Sequence, residues 1–138
     1  PVEKVGETDS AETGSRENPY TVSQVLAMDT QTEPIWIKGY IMGWARPNMF
    51  DIQLLNQFDE IDETYSLENI VLAENPTATE TSQMIAVEFN KETPNDPQTF
   101  LNLHDNFELI GREVKVYCTT GTKNQLLWGL NIIDYELV

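Results

Sequence analysis

Histidine and cysteine occur once each in this chain, as His104 and Cys118, and lysine and arginine together number only eight. A single cysteine excludes an internal disulfide, a cysteine-based zinc site and an iron–sulfur cluster. A single histidine leaves few ways to activate a nucleophile. No apolar run approaches the ~20 residues that a membrane-spanning helix needs. The sequence contains no G-x-S-x-G, no Walker loop, no H-E-x-x-H and no dinucleotide fingerprint. It also lacks an N-x-[ST] glycosylation acceptor. These absences argue against an enzyme, and no cofactor is expected. Eight cationic residues stand against 23 acidic ones, a net charge of −15. A field of that sign repels phosphate backbones and anionic lipid, and it favours cations and basic partners.

The remaining composition is that of a folded domain. At 138 residues, 40% of them hydrophobic, the chain has the size of one domain and can bury a core without staples. Residues 1–16 are polar and read as a flexible arm, leaving 17–138 as the domain. The chain has neither an initiator Met nor the apolar stretch of a signal peptide, as expected for a mature or trimmed form.

The first periodic element is PYTVSQVLAMD at 19–29. Thr21 is placed to cap a helix over 22–29, with Gln24 three residues on to complete a capping box. Val22, Val25 and Leu26 share one face. Next, IWIKGYIMGW at 35–44 alternates strictly, so a long strand is expected. Ile35, Ile37 and Ile41 should point one way, and Trp36, Lys38, Tyr40, Met42 and Trp44 the other. Gly39 and Gly43 mark bends or close approaches within it. Further strands are expected at 67–73, 84–89, 113–119 and 126–137. Residues 90–99 read as loop. A short helix within 100–111 would be capped by Asp105 and closed by Gly111, with Phe100, Leu103, Phe107 and Ile110 covering one end of the core. The last strand reads Leu126, Trp128, Leu130 and Ile132 inward, then slips phase to Ile133, Tyr135 and Leu137, which implies a bulge. No crossover helix separates the strands, so a parallel sheet is not expected. The fold class is all-β: a five-stranded Greek-key barrel of OB type, with an N-terminal helix and a short helix or turn between strands three and four.

Several segments carry a family pattern in order: GSRENPYTVSQVL at 14–26, WIKGYIMGW at 36–44, NIVLAE at 69–74, FLNLHDNFELIGREVKVYC at 100–118 and LLWGLNIIDYE at 126–136. On these pieces the chain resembles an uncharacterised family of OB-fold domains from exported and cell-surface proteins of Gram-negative gut bacteria. Cys118 stands where that pattern favours glycine, and the loop at 50–66 is more acidic than the pattern. The resemblance implies an extracytoplasmic module, in the periplasm or at the cell surface, often lipoprotein-borne. Contact with a membrane would then come only through a lipid-anchored leader. The resemblance supplies no catalytic residues.

OB barrels bind ligands on the face of strands two and three, bordered by the loops after strands one and four. Trp44, Arg46 and Phe50 open the first of these loops, and Lys123 and Asn124 lie in the second. Aromatic rings beside a few polar groups suit a sugar, a base or a peptide. The competing reading packs the stripe Trp36, Tyr40, Met42 and Trp44 into the structure. Asp59 and Asp62, with Glu60 and Glu63, offer oxygen ligands for calcium, but EF-hand spacing is absent and a solvated acidic loop is the simpler reading. Cys118 is expected in the core as a small hydrophobe. His104 lacks the convergent partners that a site requires. The function expected is a non-enzymatic binding or adaptor module for an oligosaccharide or protein. The alternatives are a nucleic-acid-binding OB protein, which the charge opposes, and a structural spacer in a surface assembly.

Overall fold

The computed structural model describes residues 13–46, 51–54, 65–89, 96–123 and 126–138. Elements follow in the order β1 (Tyr20–Thr21), α1 (Val22–Leu26), β2 (Ile35–Arg46), β3 (Asp51–Leu54), β4 (Asn69–Ala73), β5 (Ile85–Phe89), α2 (Asp96–Leu101), β6 (Glu113–Lys123) and β7 (Leu126–Leu137). Short 3-10 turns lie at Tyr65–Leu67, Thr81–Gln83 and Phe107–Leu109. Five strands close a barrel in the circuit β2–β4–β5–β7–β6–β2. All pairings in that circuit are antiparallel except β5 with β7, which is parallel. This is an OB-fold-like barrel, as the strand pattern predicts.

The helix start behaves as its sequence dictates. Thr21 accepts from the Gln24 backbone, and the Gln24 side chain accepts from the Thr21 N–H, so the capping box is complete. The helix ends at Leu26 rather than at residue 29. Val22 and Val25 are its buried residues. A Cβ on Gly39 would meet Leu72 Cβ at 2.9 Å, the Ala73 carbonyl oxygen at 3.0 Å and Val22 Cγ2 at 3.1 Å. Glycine there lets α1 and β4 close on β2 together.

The barrel interior gathers Val22, Val25, Ile37, Ile41, Trp44, Ile70, Leu72, Ile85, Val87, Phe89, Leu101, Leu103, Leu109, Val114, Val116, Cys118 and Ile132. Each fully buried aliphatic or aromatic side chain there contributes about 1.5–3 kcal/mol relative to exposure. A second, smaller cluster covers the outer face: Ala45, Val71, Ala73, Met84, Ala86 and Trp128, with Met42, Ala78 and Leu130 at its edge.

Two bulges decide which side chains enter which cluster. In β2 the register against β4 shifts between Ile41 and Gly43, leaving Met42 as the extra residue. Gly43 has φ 155°. In β7 the register slips against both neighbours, between Val87 and Phe89 on β5 and between Tyr117 and Thr119 on β6. Asn131 sits within that slip with φ 61°. The slip itself is expected from the sequence, but the side chains before it face the other way. Trp128 and Leu130 point outward, whereas Leu127 packs on the interior. After the slip Tyr135 packs inward as expected, while Ile133 is exposed.

The connection between strands three and four also departs from expectation. A helix occupies Asp96–Leu101, starting in the stretch 90–99 read as loop and ending just beyond it, and Leu101 rather than Phe100 enters the core. Phe100 is 52% exposed. The 3-10 turn at Phe107–Leu109 has Asn106 at its N-cap position, so Asp105 does not cap it. Gly111 does close this region, with φ 92°.

Residues 14–16 of the expected arm belong to a turn that is hydrogen-bonded to the barrel. Gly14 N–H donates to the Asn18 carbonyl at 2.8 Å, and Trp36 N–H donates to the Gly14 carbonyl at 2.9 Å. This turn is bonded directly to β2. Residues 1–12 of the expected arm lie outside the described residues.

Candidate functional site

The outer face of β4 and β5, the second and third barrel strands, is the position where an OB barrel holds its ligands, and β7 borders it through its pairing with β5. Alternation along β4 sends Asn69, Val71 and Ala73 to this face, and along β5 it sends Ala86 and Glu88. The β7 bulge delivers Trp128 beside them. Lys123, the last residue of β6, places its Nζ 4.5 Å from the Trp128 ring centroid and ion-pairs with Glu88 Oε2. The two charged side chains are 27% and 13% exposed, so the pair is partly desolvated. A cation held over an indole gains from the ring quadrupole, and more so where water is excluded. The face is therefore apolar and internally paired: Val71 and Ala73 are fully buried and Trp128 is 4% exposed.

Of the residues expected at the ligand mouth, Trp44 is corrected. It is 0% exposed and belongs to the barrel interior. The one-residue bulge at Met42 reverses the alternation, so Trp44 joins Ile37 and Ile41 instead of Trp36 and Tyr40. Trp44 cannot present a ring to a ligand without opening the core. Arg46 closes β2 opposite Asp51, and its side chain lies outside what is described. Phe50 and Asn124 lie outside the described residues altogether, as do Asp59, Glu60, Asp62 and Glu63. Lys123 is placed at the face, engaged by Glu88 and Trp128. The sequence reading missed Trp128 and Glu88. For Trp128 the signal was ambiguous, because LLWGL is apolar on both faces. Glu88 had only its outward phase within a strand.

The aromatic stripe of β2 divides between three environments. Trp44 is interior, and Met42 packs at the edge of the outer cluster. Trp36 faces outward, stacked on Tyr117 with centroids 5.1 Å apart and planes 22° from parallel.

The remaining candidates are simple. His104 Nδ1 lies 2.9 Å from Asp105 Oδ1. That contact holds the Asp105 carboxyl below its ordinary pKa, chiefly through the histidine hydrogen bond. Cys118 is buried, and desolvation pushes its thiol up to about 12, with a smaller opposing contribution from a backbone hydrogen bond at Leu130. A reactive thiol requires the reverse. Among the described residues no three His, Cys, Asp or Glu side chains converge on a metal-sized space.

With this geometry in hand, the comparisons give one family. The model described as Domain of unknown function (DUF6359) matches residues 20–129, and the chain belongs to that family. Neither the curated proteins nor the solved structures gave a match.

Proposed function

We propose that this DUF6359 domain is a non-enzymatic binding and adaptor module of an extracytoplasmic protein, working through contacts with other proteins. The observation that carries the reading is the filled ligand face. Val71, Ala73, Ala86 and Trp128 are buried there, and Lys123 is taken up by Glu88. Barrels that bind single-stranded nucleic acid use exposed aromatic platforms in a cationic groove, and the net charge of −15 opposes such a groove. With Trp44 in the interior, the aromatic mouth suited to an oligosaccharide loses its leading ring, so a protein partner moves ahead of a sugar. The extracytoplasmic setting, in the periplasm or at the cell surface, rests on the sequence resemblance, as does a lipid-anchored leader. A structural spacer is the second reading, and the burial of Trp44 favours it.

Two measurements on the whole chain test the proposal. Polarisation of labelled single-stranded DNA and RNA at physiological salt should give no binding tighter than about 10 µM, or roughly −6.8 kcal/mol. Tighter binding with a steep salt slope would reverse the ranking. An amide-resolved NMR titration with neutral oligosaccharides, acidic oligosaccharides and cationic peptides should then show saturable shifts with peptides. Shifts with none of them would leave the spacer reading.

A further inference from the structure

Along its second half β7 has a strand on one side only. Residues 134–137 pair with β6. On the other side the neighbour is β5, which ends at Phe89, opposite Ile132. From Ile133 onward no strand among the described residues lies there. The hydrogen bonds fix which backbone groups face that open side. Val138 N–H donates to the Glu113 carbonyl at the start of β6, at 3.1 Å. Tyr135 N–H instead donates to the neighbouring side chain, Asp134 Oδ1, at 2.8 Å. Alternation turns the Leu137 N–H the same way as that of Tyr135.

The edge is apolar as well as unpaired. Ile133 is 45% exposed, Leu137 37% and Val138 57%. Of the large hydrophobic residues exposed among the described ones, only Phe100 and Leu126 lie elsewhere. An open edge of this kind is a template for another strand, and proteins guard such edges with charge. Asp134 is the charge that decides the occupant here. Glu136 shares its phase two residues on, but it is held by Arg16, whose guanidinium lies over Trp36. A second copy of the chain would bring Asp134 against a like charge, with −15 on each copy, and like charges across a strand pair destabilise it. A strand of neutral side chains would gain main-chain bonds but desolvate the carboxylate without compensation. A strand carrying Lys or Arg beside Asp134 gains the charge pair and the main-chain bonds together.

We propose that the edge of β7 over residues 133–137 is a strand-addition site for a partner protein, and that it takes an extended segment in which apolar residues alternate with Lys or Arg. The inference deepens the protein-adaptor reading and rests on it. Main-chain bonds from Tyr135 and Leu137 supply affinity, as in other strand additions. The alternation supplies specificity: the apolar residues of the segment lie beside Ile133 and Leu137, and its basic residues lie on the face of Asp134. The net charge of −15 draws such a segment in from solution.

The test titrates the full chain with the blocked peptide Lys-Val-Arg-Val-Lys-Val-Arg and follows amide hydrogen exchange by NMR. At saturation the Tyr135 and Leu137 amides should exchange at least tenfold more slowly, while the Val138 amide, already bonded to β6, should not change. The same peptide N-methylated at alternate amides, and its counterpart with Glu in place of each basic residue, should each bind at least tenfold more weakly. Leu137→Asp should weaken binding of the basic peptide at least tenfold, and Asp134→Asn at least threefold. Equal affinity for the basic and Glu peptides would overturn the assignment of the partner. Protection of the same amides that grows with protein concentration, without peptide, would give the edge to a second copy. Saturable shifts elsewhere, without protection at Tyr135 and Leu137, would remove this site and leave the adaptor reading intact. Failure of every peptide would remove both.

Discussion

The side-chain amide of Asn69 pairs with both backbone polar groups of Ala45, accepting from its N–H at 2.8 Å and donating to its carbonyl at 3.0 Å. The backbone ladder between β2 and β4 ends at Gly43 and Val71. Two residues on, where the antiparallel register would set Ala45 against Asn69, the amide takes the place of a strand. Asn69 is 1% exposed and Ala45 is 5% exposed, so water cannot substitute. This contact occupies the backbone groups of Ala45 beyond the last ladder pair with β4, while β2 pairs with β3 from Gly43 to Arg46.

Asn69→Leu should therefore cost about 2–4 kcal/mol, because it orphans a buried donor and a buried acceptor together. Asn69→Asp should also destabilise, since a carboxylate cannot donate to the Ala45 carbonyl. Urea denaturation of the two variants measures both. A loss below about 0.5 kcal/mol for Asn69→Leu would mean that the ladder ends without help.

Trp44→Ala should cost about 3–5 kcal/mol as a large-to-small core change. The loss should appear as a lowered melting temperature in calorimetry. A variant that melted like wild type would return Trp44 to the surface and reopen the aromatic mouth.

Burial of Cys118 has a pH signature. Its pKa rises from 9.0 to about 12 on folding. Below pH 9 the thiol is neutral in both states, and its contribution to stability is complete. Between about pH 9 and 12 the unfolded chain releases the proton while the folded chain keeps it, so stability falls as pH rises. Cys118→Ala should flatten this decline, measured as the difference in denaturant midpoint between wild type and variant. A thiol reagent at neutral pH should label native protein far more slowly than unfolded protein, and equal rates would take Cys118 out of the core.

The latch between Arg16 and Glu136 should open in acid. The arginine hydrogen bond holds the Glu136 carboxyl below its ordinary pKa. Its stabilising effect is present above the unfolded carboxylate value and is lost as pH falls through the depressed folded value. The Trp36 indole resonance should move in that acid window, and Glu136→Gln should abolish the movement. A shift that persists in Glu136→Gln would assign the transition to another group.

Asn131 holds the β7 bulge in a left-handed conformation. Asn131→Gly should be near neutral, whereas Asn131→Val should cost about 1–2 kcal/mol. Paired thermal melts decide it. Equal melting temperatures would mean that the bulge relaxes to accommodate a branched residue.

The sequence by itself determined the number and order of the barrel strands, the capped start of α1 and the inward placement of Cys118. These depend on local signals: period-two alternation within an unbroken strand, a hydroxyl three residues before a glutamine, and small apolar residues on one phase. It did not determine where Trp44 and Trp128 point, or that residues 14–16 bond to the barrel. A period-two pattern fixes a side chain's face only until a bulge intervenes. A bulge is set by the register of the strands on either side, which lie far away in sequence. In β2 one extra residue at Met42 moved Trp44 inward. In β7 the slip around Asn131 put Trp128 on the outer face. Residues 14–16 read as linker because they are small or polar, and their partners Trp36, Lys115 and Glu136 come together only when the barrel closes.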